Sequence, residues 1–255
     1  MSQNNDLWVE YPGNDDGAGN GKHIVLVSGD EEYRSEEALP MLGQILSAHH
    51  GFRTTVLFAI DPDTGKIDPE VQTNIPGLQH LESADMMILF TRFRELPDDQ
   101  MKFIVDYTNS GKPVMGLRTA THAFKYERNL DSPYAKYDCQ SVDFDGGYGR
   151  QVLGETWINH HGHHGKESAL GVINGLYEDH PVLKGVADVW APSDVYGVKK
   201  LVGDNLQILM NGQVLVGMQS SDRPKINKST MPLVWLKNYT GETGKTCRVF
   251  NTTMG

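Results

Sequence analysis

The first half of the chain alternates short apolar runs with longer amphipathic segments, and this alternation constrains the fold most strongly. Apolar runs bounded by turn residues are typical of strands buried on both faces. The pattern predicts strands at His23–Ser28, Arg53–Ile60, Asp85–Thr91 and Val114–Leu117, with helices at Ser35–His49 and Asp98–Asn109. Strands that alternate with helices of this length indicate an α/β protein with a doubly wound, mostly parallel sheet.

The pattern loosens after Phe124. Residues 125–150 are rich in Tyr, Asp and Gly and predict a long functional loop or lid. Short loops separate the later strand candidates, which predicts antiparallel additions to the sheet. These candidates are Gly171–Asn174, Gln207–Leu209, Val214–Met218, Leu233–Leu236 and Cys247–Thr252. The sequence ends directly after the last of these candidates. A doubly wound fold normally covers its last strand with a helix, so we expect that a C-terminal helix is missing from this sequence.

Composition limits the domain organisation and the classes of partner. Residues 1–22, rich in Gly, Asn and Asp, predict an N-terminal arm without regular structure, and residues 23–255 predict one domain. The formal net charge of −10 argues against nucleic-acid binding. The absence of an apolar run of ~18 residues argues against a membrane span. Without a recognisable signal the chain is expected to be cytoplasmic, or periplasmic or secreted if a signal peptide has been removed.

The segment Pro113–Phe124 locates a functional site. It predicts a buried strand, a sharp turn and then a helix. The carboxyl end of a strand in an open α/β sheet is where chemistry usually takes place, and many hydrolases carry a Ser or Cys nucleophile at such an elbow. This segment offers Arg118, Thr119, Thr121 and His122 but no Cys. The pattern therefore predicts an active-site location without the acyl-transfer chemistry associated with it.

Three polar clusters follow predicted strands, at Asp30–Arg34, Arg92–Glu95 and Arg118–His122. Because the carboxyl ends of parallel strands share one edge, these loops are expected to converge on one crevice. Each cluster taken alone is also compatible with a solvated loop. The side chains expected to contact a substrate here are Asp30, Glu32, Tyr33, Arg34, Arg92, Arg94 and Thr119.

The segment Gly154–Glu167 has the most unusual composition in the chain. It contains His160, His161, His163 and His164 within five positions. Imidazoles act as general acids or bases near neutral pH, bind divalent metals such as Zn²⁺, or bond to the backbone structurally. No H-E-x-x-H pattern is present, so we favour an acid/base role without a cofactor. A divalent metal held by these four histidines is the alternative.

Asp194 and Tyr196 follow an apolar-aromatic turn. A buried Asp would orient a histidine, and a Tyr would contact the face of a sugar. A turn-initiating Asp beside a core Tyr explains the same pattern equally well. Both residues are therefore hypothetical substrate contacts.

Several short motifs occur together in an order that resembles the ThuA-like, or trehalose-utilisation, family over roughly residues 23–255. These motifs are Gly116–His122, Val152–Trp157, His180–Gly185, Ser193–Tyr196, Met231–Trp235 and Arg248–Phe250. The resemblance implies the fold of the class I glutamine amidotransferases, a flavodoxin-like sheet with antiparallel additions. It also implies carbohydrate metabolism, of disaccharides or keto-sugars, and no glutaminase activity because the amidotransferase Cys is absent.

The chain departs from the pattern of this family at three places. Members typically have a Gly-Ile-His elbow, where this chain has Gly116, Leu117 and Arg118. They also carry an Asp near the position of His122 and an Asp-Glu pair near Asp194. The roles of individual residues therefore transfer only in part.

The sequence favours a carbohydrate-active hydrolase, lyase or isomerase that works by general acid/base chemistry on a small carbohydrate. The catalytic residues predicted are Arg118, His122, His161 and His164, with Glu32, Arg92 and Asp194 in support. A metal-assisted hydrolase and a non-catalytic sugar-binding module are the alternatives. A homo-oligomer is compatible with this fold, although no residue pattern demands one.

Overall fold

A mixed sheet of ten strands organises the computed structural model, which describes residues 7–255. The strands are β1 (Trp8–Tyr11), β2 (His23–Gly29), β3 (Arg53–Leu57), β4 (Met86–Thr91), β5 (Val114–Leu117), β6 (Ala169–Ile173), β7 (Trp190–Ala191), β8 (Asp204–Val214), β9 (Met231–Thr240) and β10 (Thr246–Thr252). Two α-helices, α1 (Ser35–His50) and α2 (Asp98–Asn109), accompany the sheet within these residues. No helix in this range is long and apolar enough to cross a membrane.

The strand order across the sheet is β1-β3-β2-β4-β5-β10-β9-β8-β6-β7. Strands β3, β2, β4, β5 and β10 run parallel to one another, and the pairings beyond them at both ends are antiparallel. The α/β class and the antiparallel additions are thus confirmed. The sheet is mixed and not mostly parallel as predicted, because five of the nine pairings between neighbouring strands within residues 7–255 are antiparallel.

The predicted elements of the first half agree with the structure except at their ends and in the arm. Helix α2 and strand β5 have the predicted bounds, whereas β3 ends at Leu57 instead of Ile60. The expected irregular arm contains β1, which pairs antiparallel with β3 from Trp8 opposite Leu57 to Tyr11 opposite Thr54. Pairing covers the edge of β3, which would otherwise be free. Residues 1–6 of the arm lie outside the described residues.

Three expectations for the rest of the chain need correction. Strand β10, predicted as an antiparallel addition, is parallel to β5 and antiparallel only to β9. The candidate Gln207–Leu209 lies within one long strand, β8, which ends at Val214, so only the first residue of the candidate Val214–Met218 is in a strand. The expected lid at residues 125–150 contributes Tyr137 and Tyr148 to the core. These side chains are buried because their rings pack on each other and on the sheet.

Alternate residues of β2 supply the two hydrophobic cores. Val25 and Val27 belong to the core that contains α2, and Ile24 and Leu26 belong to the core under α1. All seven residues of β2 are buried. Burial on both faces explains why this strand is a continuous apolar run in the sequence.

Helix α1 contacts the sheet through small residues as well as Leu39. Its buried positions include Gly43 and Ser47, whereas the apolar residues Met41 and Ile45 are exposed. A Cβ atom at Gly43 would lie 3.1 Å from the side chain of Val56. The helix therefore lies so close to β3 that a larger residue at this position would require Val56 to shift.

A π-helix, Gly149–Leu153, packs against the short 3₁₀ helix Arg118–His122 that follows β5. The predicted strand, turn and helix of the elbow are present, and the helix is this 3₁₀ helix of five residues. A Cβ atom at Gly149 would lie 1.9 Å from the carbonyl oxygen of Thr121. Glycine is required here because two backbone segments touch, and this contact supports the elbow from below.

We expect Gly149→Ala to destabilise the protein by at least about 2 kcal/mol, because the added methyl group forces the π-helix away from the elbow. Urea denaturation measures the free energy of unfolding. Gly175→Ala is the control, since a Cβ atom there meets nothing within 4 Å, and it should change stability by less than about 0.5 kcal/mol. Equal effects of the two substitutions would contradict this account of the elbow.

Candidate functional site

The carboxyl ends of β2, β4 and β5 meet a fourth segment, Asn159–Lys166, around a cavity of about 160 Å³. The three loops expected to converge thus do so. The cavity is lined by Glu32, Arg92, Phe93, His122, Trp157, His160, His164 and Tyr196.

Each of the three strand-end loops contains a non-glycine residue with positive φ. Arg34 has φ 56°, Phe93 has φ 51° and Arg118 has φ 41°. Such conformations cost of order 1–3 kcal/mol each and concentrate at functional sites. Backbone bonds hold the strained loops together, since Phe93 N donates to His122 O at 2.9 Å and Arg92 N donates to Gly29 O at 2.9 Å.

Arg118, the residue at the elbow, joins four parts of the chain. Its Nη1 donates to the carbonyl oxygens of Asp194 at 2.7 Å and Thr253 at 2.6 Å. Its Nη2 donates to Tyr33 Oη at 2.7 Å and Asp194 Oδ1 at 2.9 Å. The guanidinium also lies 3.6 Å from the centre of the Tyr196 ring. Arg118 is fully buried and does not line the cavity, so its geometry is that of a positioning residue.

Asp194 is a buried carboxylate shared by Arg118 and two histidines. Its Oδ2 lies 2.9 Å from His160 Nδ1, and its Oδ1 lies 3.2 Å from His164 Nδ1. Because an ionised carboxylate only accepts hydrogen bonds, both Nδ1 atoms are assigned as donors. Within residues 7–255 the Nε2 atom of His160 has no hydrogen-bond partner, so it is free to contact a bound molecule.

Glu32 and Arg92 form the charged wall of the cavity. Glu32 Oε1 lies 3.3 Å from His164 Nε2, and Glu32 Oε2 lies 3.0 Å from Arg92 Nε. Glu31 lies behind them and pairs with both Arg92 and Arg94. A carboxylate and a guanidinium therefore reach the cavity with their positions set by neighbouring charges.

His122 forms part of the cavity lining but is only 4% exposed. Burial, together with the nearby Arg92 and Arg118 cations, lowers the pKa of His122 to about 3. The ring is therefore neutral at pH 7 and too weak a base to take a proton from a carbon acid. Its geometry suits a neutral hydrogen-bond partner, which differs from the catalytic role predicted for it.

Tyr196 and two aromatic residues that the sequence did not single out complete the cavity lining. Burial raises the pKa of Tyr196, so its hydroxyl stays protonated and available as a donor. The rings of Phe93 and Trp157 lie 4.9 and 5.6 Å from that of His122. The sequence pointed to Phe93 and Trp157 only in that they lie inside the segments Arg92–Glu95 and Gly154–Glu167.

The carboxylate of Asp30 and the hydroxyl of Thr119, both expected in the crevice, instead connect two loops. Asp30 is fully buried, and its Oδ1 accepts the backbone N–H groups of Glu32 and Tyr33. Its Oδ2 accepts the hydroxyl of Thr119. Asp30 and Thr119 therefore join the loop after β2 to the elbow and do not line the cavity.

Two arginines expected in the crevice also lie elsewhere. Arg94 is buried and donates to the carbonyl oxygens of Pro69 at 2.8 Å and Val71 at 2.9 Å. Arg34 is exposed and pairs with Glu36 and Glu37 on the surface of α1. Neither guanidinium contributes to the lining of the cavity.

The histidine segment divides into two pairs. His160 and His164 meet Asp194, whereas His161 Nε2 lies 2.7 Å from the carbonyl oxygen of Ser229 and His163 is exposed. Of the four predicted metal ligands, only His160 and His164 are close together, with Asp194 as the third group. Neither His161 nor His163 lines the cavity, so the catalytic role predicted for His161 lacks support from its position.

A larger hollow of about 440 Å³ lies on the sheet between Tyr177 and strands β8–β10. Its lining includes Lys237 and Arg248 but no histidine or carboxylate. None of the strand-end loops reaches it. Volume alone would therefore select a place without the groups that acid/base chemistry requires.

The fold and the site together define an α/β protein whose strand-end cavity is lined by two histidines that share a buried carboxylate. Its fold is that of two solved structures provisionally described as ThuA-like. The protein from Bacteroides uniformis is 14% identical, with a TM-score of 0.53 over 96% of this chain and 86% of that chain. The protein from Parabacteroides merdae is 16% identical, with a TM-score of 0.54 over 92% of this chain and 80% of that chain.

The resemblance to the ThuA-like family is thus confirmed at the level of the fold. At these identities the structural likeness carries no residue roles. The chain matches no protein-family model and no curated protein. The chemistry must therefore be argued from the side chains of the cavity.

We expect the acid sensitivity of folding to decrease in His122→Gln. A histidine with a lowered pKa binds a proton only in the unfolded state between about pH 6.5 and 3, so stability falls as the pH falls through that range. Between pH 6.5 and 4.5 this contribution amounts to about 2 kcal/mol.

Urea denaturation of both proteins at the two pH values measures this contribution. The wild type should lose about 2 kcal/mol more than His122→Gln over the interval. Any constant destabilisation by the substitution cancels, because each protein is compared with itself. Equal losses in the two proteins would show that His122 is not held neutral by the fold.

Proposed function

We propose that the strand-end cavity binds one ring of a small carbohydrate and that the protein transforms it by general acid/base chemistry. The observation that carries this proposal is the buried Asp194 shared by two histidines at an aromatic, polar cavity. Directional donors and acceptors next to aromatic faces suit a polyol. A volume of about 160 Å³ lies below the roughly 300–1,000 Å³ of drug-sized sites, which favours a single sugar ring inside it.

We also propose that the parallel strands form a flavodoxin-like, doubly wound unit. Taken in chain order, they lie in the spatial order 2-1-3-4-5, which is β3-β2-β4-β5-β10. The cores under α1 and α2 lie on opposite faces of the sheet. In such folds ligands bind where the strand order reverses, here between the ends of β2 and β4. Glu32 and Arg92 follow these two strands.

The groups around the cavity suit proton transfer on a keto-sugar. His160 Nε2 would take the acidic proton from the carbon beside the carbonyl, and Asp194 at Nδ1 would stabilise the imidazolium formed. Arg92 would stabilise the negative charge that develops on the carbonyl oxygen, the role predicted for the buried Arg118. Returning the proton to a neighbouring carbon or oxygen would complete an isomerisation. In an elimination, the enolate would instead expel a leaving group from the next carbon, with a double bond formed there, and the departing oxygen would take the proton from His160. No Cys is present at the elbow, so glutaminase chemistry is not proposed.

Two neighbouring histidines provide a matched test of this mechanism. We expect His160→Gln to lower kcat/KM on keto-sugars by about 10²–10⁴-fold, because it removes the base that contacts the substrate. His161→Gln should change kcat/KM by less than about threefold, since His161 bonds to Ser229 away from the cavity. The assay follows consumption of keto-mono- and keto-disaccharides.

Three outcomes of this assay are informative. Equal losses in the two variants would reject His160 as the base. Turnover that is unchanged in His160→Gln would reject the mechanism altogether. Sugar binding by calorimetry without product in long incubations would establish a non-catalytic sugar-binding module instead.

A second candidate, metal-assisted hydrolysis, is favoured by one specific observation. One nitrogen each of His160 and His164 and one carboxylate oxygen of Asp194 lie within 4.8 Å of one another. Two histidines and a carboxylate form a common site for a divalent transition metal. Glu32 at His164 Nε2 and Arg118 at Asp194 would supply the outer hydrogen bonds that such ligands need. These residues fit a divalent cation, which when bound would supply a Lewis acid to the cavity.

The two adjacent histidines His163 and His164 test the metal site. If the site is real, tag-free protein should contain close to one divalent metal per chain by elemental analysis or bind one Zn²⁺ in a titration. His164→Ala should weaken Zn²⁺ binding at least tenfold, and His163→Ala should not, because His163 contributes no atom to this group. A stoichiometry near zero, or equal losses in both variants, would exclude this candidate.

A further inference from the structure

A second hollow, of about 400 Å³, adjoins the cavity on the far side of His160 and His164. It is lined beyond those two histidines by Gly162, His163, Glu167, Lys225 and Lys228. We propose that this hollow is a subsite for a sugar unit that carries a carboxylate, so that the substrate is an acidic disaccharide. The proposal rests on the proposed function, because the reacting ring must occupy the inner cavity.

The two hollows share a wall, which places the linkage of a disaccharide. His160 and His164 line both hollows, and their side chains are 32% and 47% exposed. An inner cavity of about 160 Å³ cannot also enclose a second ring, whereas the outer hollow is more than twice as large. A substrate of two units would therefore lie across these histidines, with its second unit in the outer hollow.

The charges of the outer hollow select an anion. Glu167 and Lys225 neutralise each other, and the second oxygen of Glu167 accepts the backbone N–H of His163 at 2.8 Å. Lys228 donates to the carbonyl oxygen of His161 and forms no ion pair in the part of the chain that the structure describes. An ammonium group has three donors, so Lys228 retains donors for a ligand. In a chain of net charge −10 this is a locally positive place.

The local backbone keeps both lysines at this hollow. The backbone N–H of Lys228 donates to the carbonyl oxygen of Lys225 at 2.9 Å, which forms a tight turn between them. Opposite this turn, a Cβ atom at Gly162 would lie 3.0 Å from Asp194 Cβ. Glycine thus lets the histidine segment lie against Asp194.

Calorimetry on the wild-type chain tests the proposal with matched sugars. The probes are glucose, a neutral disaccharide of glucose, and the same disaccharide with one unit oxidised to a uronic acid. We expect the acidic disaccharide to bind about tenfold more tightly than the neutral one, with a difference that shrinks as NaCl is added. Lys228→Ala should abolish this preference without weakening binding of the monosaccharide.

Lys166→Ala is the control, because Lys166 is an exposed lysine of the histidine segment Asn159–Lys166 and does not line the hollow. It should leave the tenfold preference intact. Equal affinity for the two disaccharides, or a preference that survives Lys228→Ala, would overturn the subsite. A Lys228-dependent preference for a sugar phosphate over the uronic acid would overturn the carboxylate assignment.

The proposed function fails in a distinguishable way. If the monosaccharide binds and Trp157→Ala abolishes its binding, the inner cavity is a sugar site whatever happens at Lys228. If none of the three sugars binds, both proposals are rejected together. Loss of the acidic preference alone rejects only the outer subsite.

Discussion

The buried ion pair between Arg118 and Asp194 is the interaction on which the site depends. Both side chains are fully buried, and burying two charges costs several kcal/mol per ion unless every polar atom finds a partner. Arg118 compensates at its two terminal nitrogens with bonds to four acceptors, whereas its buried Nε has no partner within the described residues, and Asp194 contacts two histidines. Such a pair contributes little net stability. What it provides is position, because it ties the elbow after β5 to Asp194, which in turn contacts His160 and His164.

The position of Arg118 also explains why an elbow persists without a nucleophile. Its φ of 41° turns the chain sharply after β5, and the guanidinium then extends beneath Tyr196 instead of facing the cavity. In a hydrolase, a strained residue at such an elbow exposes a nucleophile. Here the strained residue is Arg118, and its guanidinium points into the interior. In the proposed function the chemistry passes to His160 and His164, which both contact the carboxylate of Asp194.

Local patterns predicted the first half of the fold, but the cavity lining depends on distant partners. Strands β2, β4 and β5 were predictable because their periodicity and bounding turns are local, and their shared edge follows from parallel pairing. Arg92 and Arg94 are two positions apart and alike in sequence. Arg94 is withdrawn by the carbonyl groups of Pro69 and Val71, whereas Arg92 remains at the cavity. No local pattern distinguishes these two arginines. No local pattern predicted β1 either, because its partner β3 lies more than forty positions away.

Backbone pairing also determines which of the four histidines contact Asp194. His160 forms a bridge with Tyr196, and the backbone N–H groups of His161 and Gly162 both donate to the carbonyl oxygen of Val195. This pairing turns His160 towards Asp194 and His161 towards Ser229.

The charges near Asp194 then limit the chemistry. Arg118 pairs with Asp194, and Arg92 and Arg94 pair with Glu31 and Glu32, so each of these carboxylates has a guanidinium beside it. The rings of His160 and His164, whose centres are 4.5 Å apart, share the carboxylate of Asp194. In the proposed function, a proton taken from a sugar ring by one of these histidines would create a positive charge next to that carboxylate, which would stabilise it. The arrangement therefore suits a proton that is taken from a sugar ring and returned to it beside Asp194.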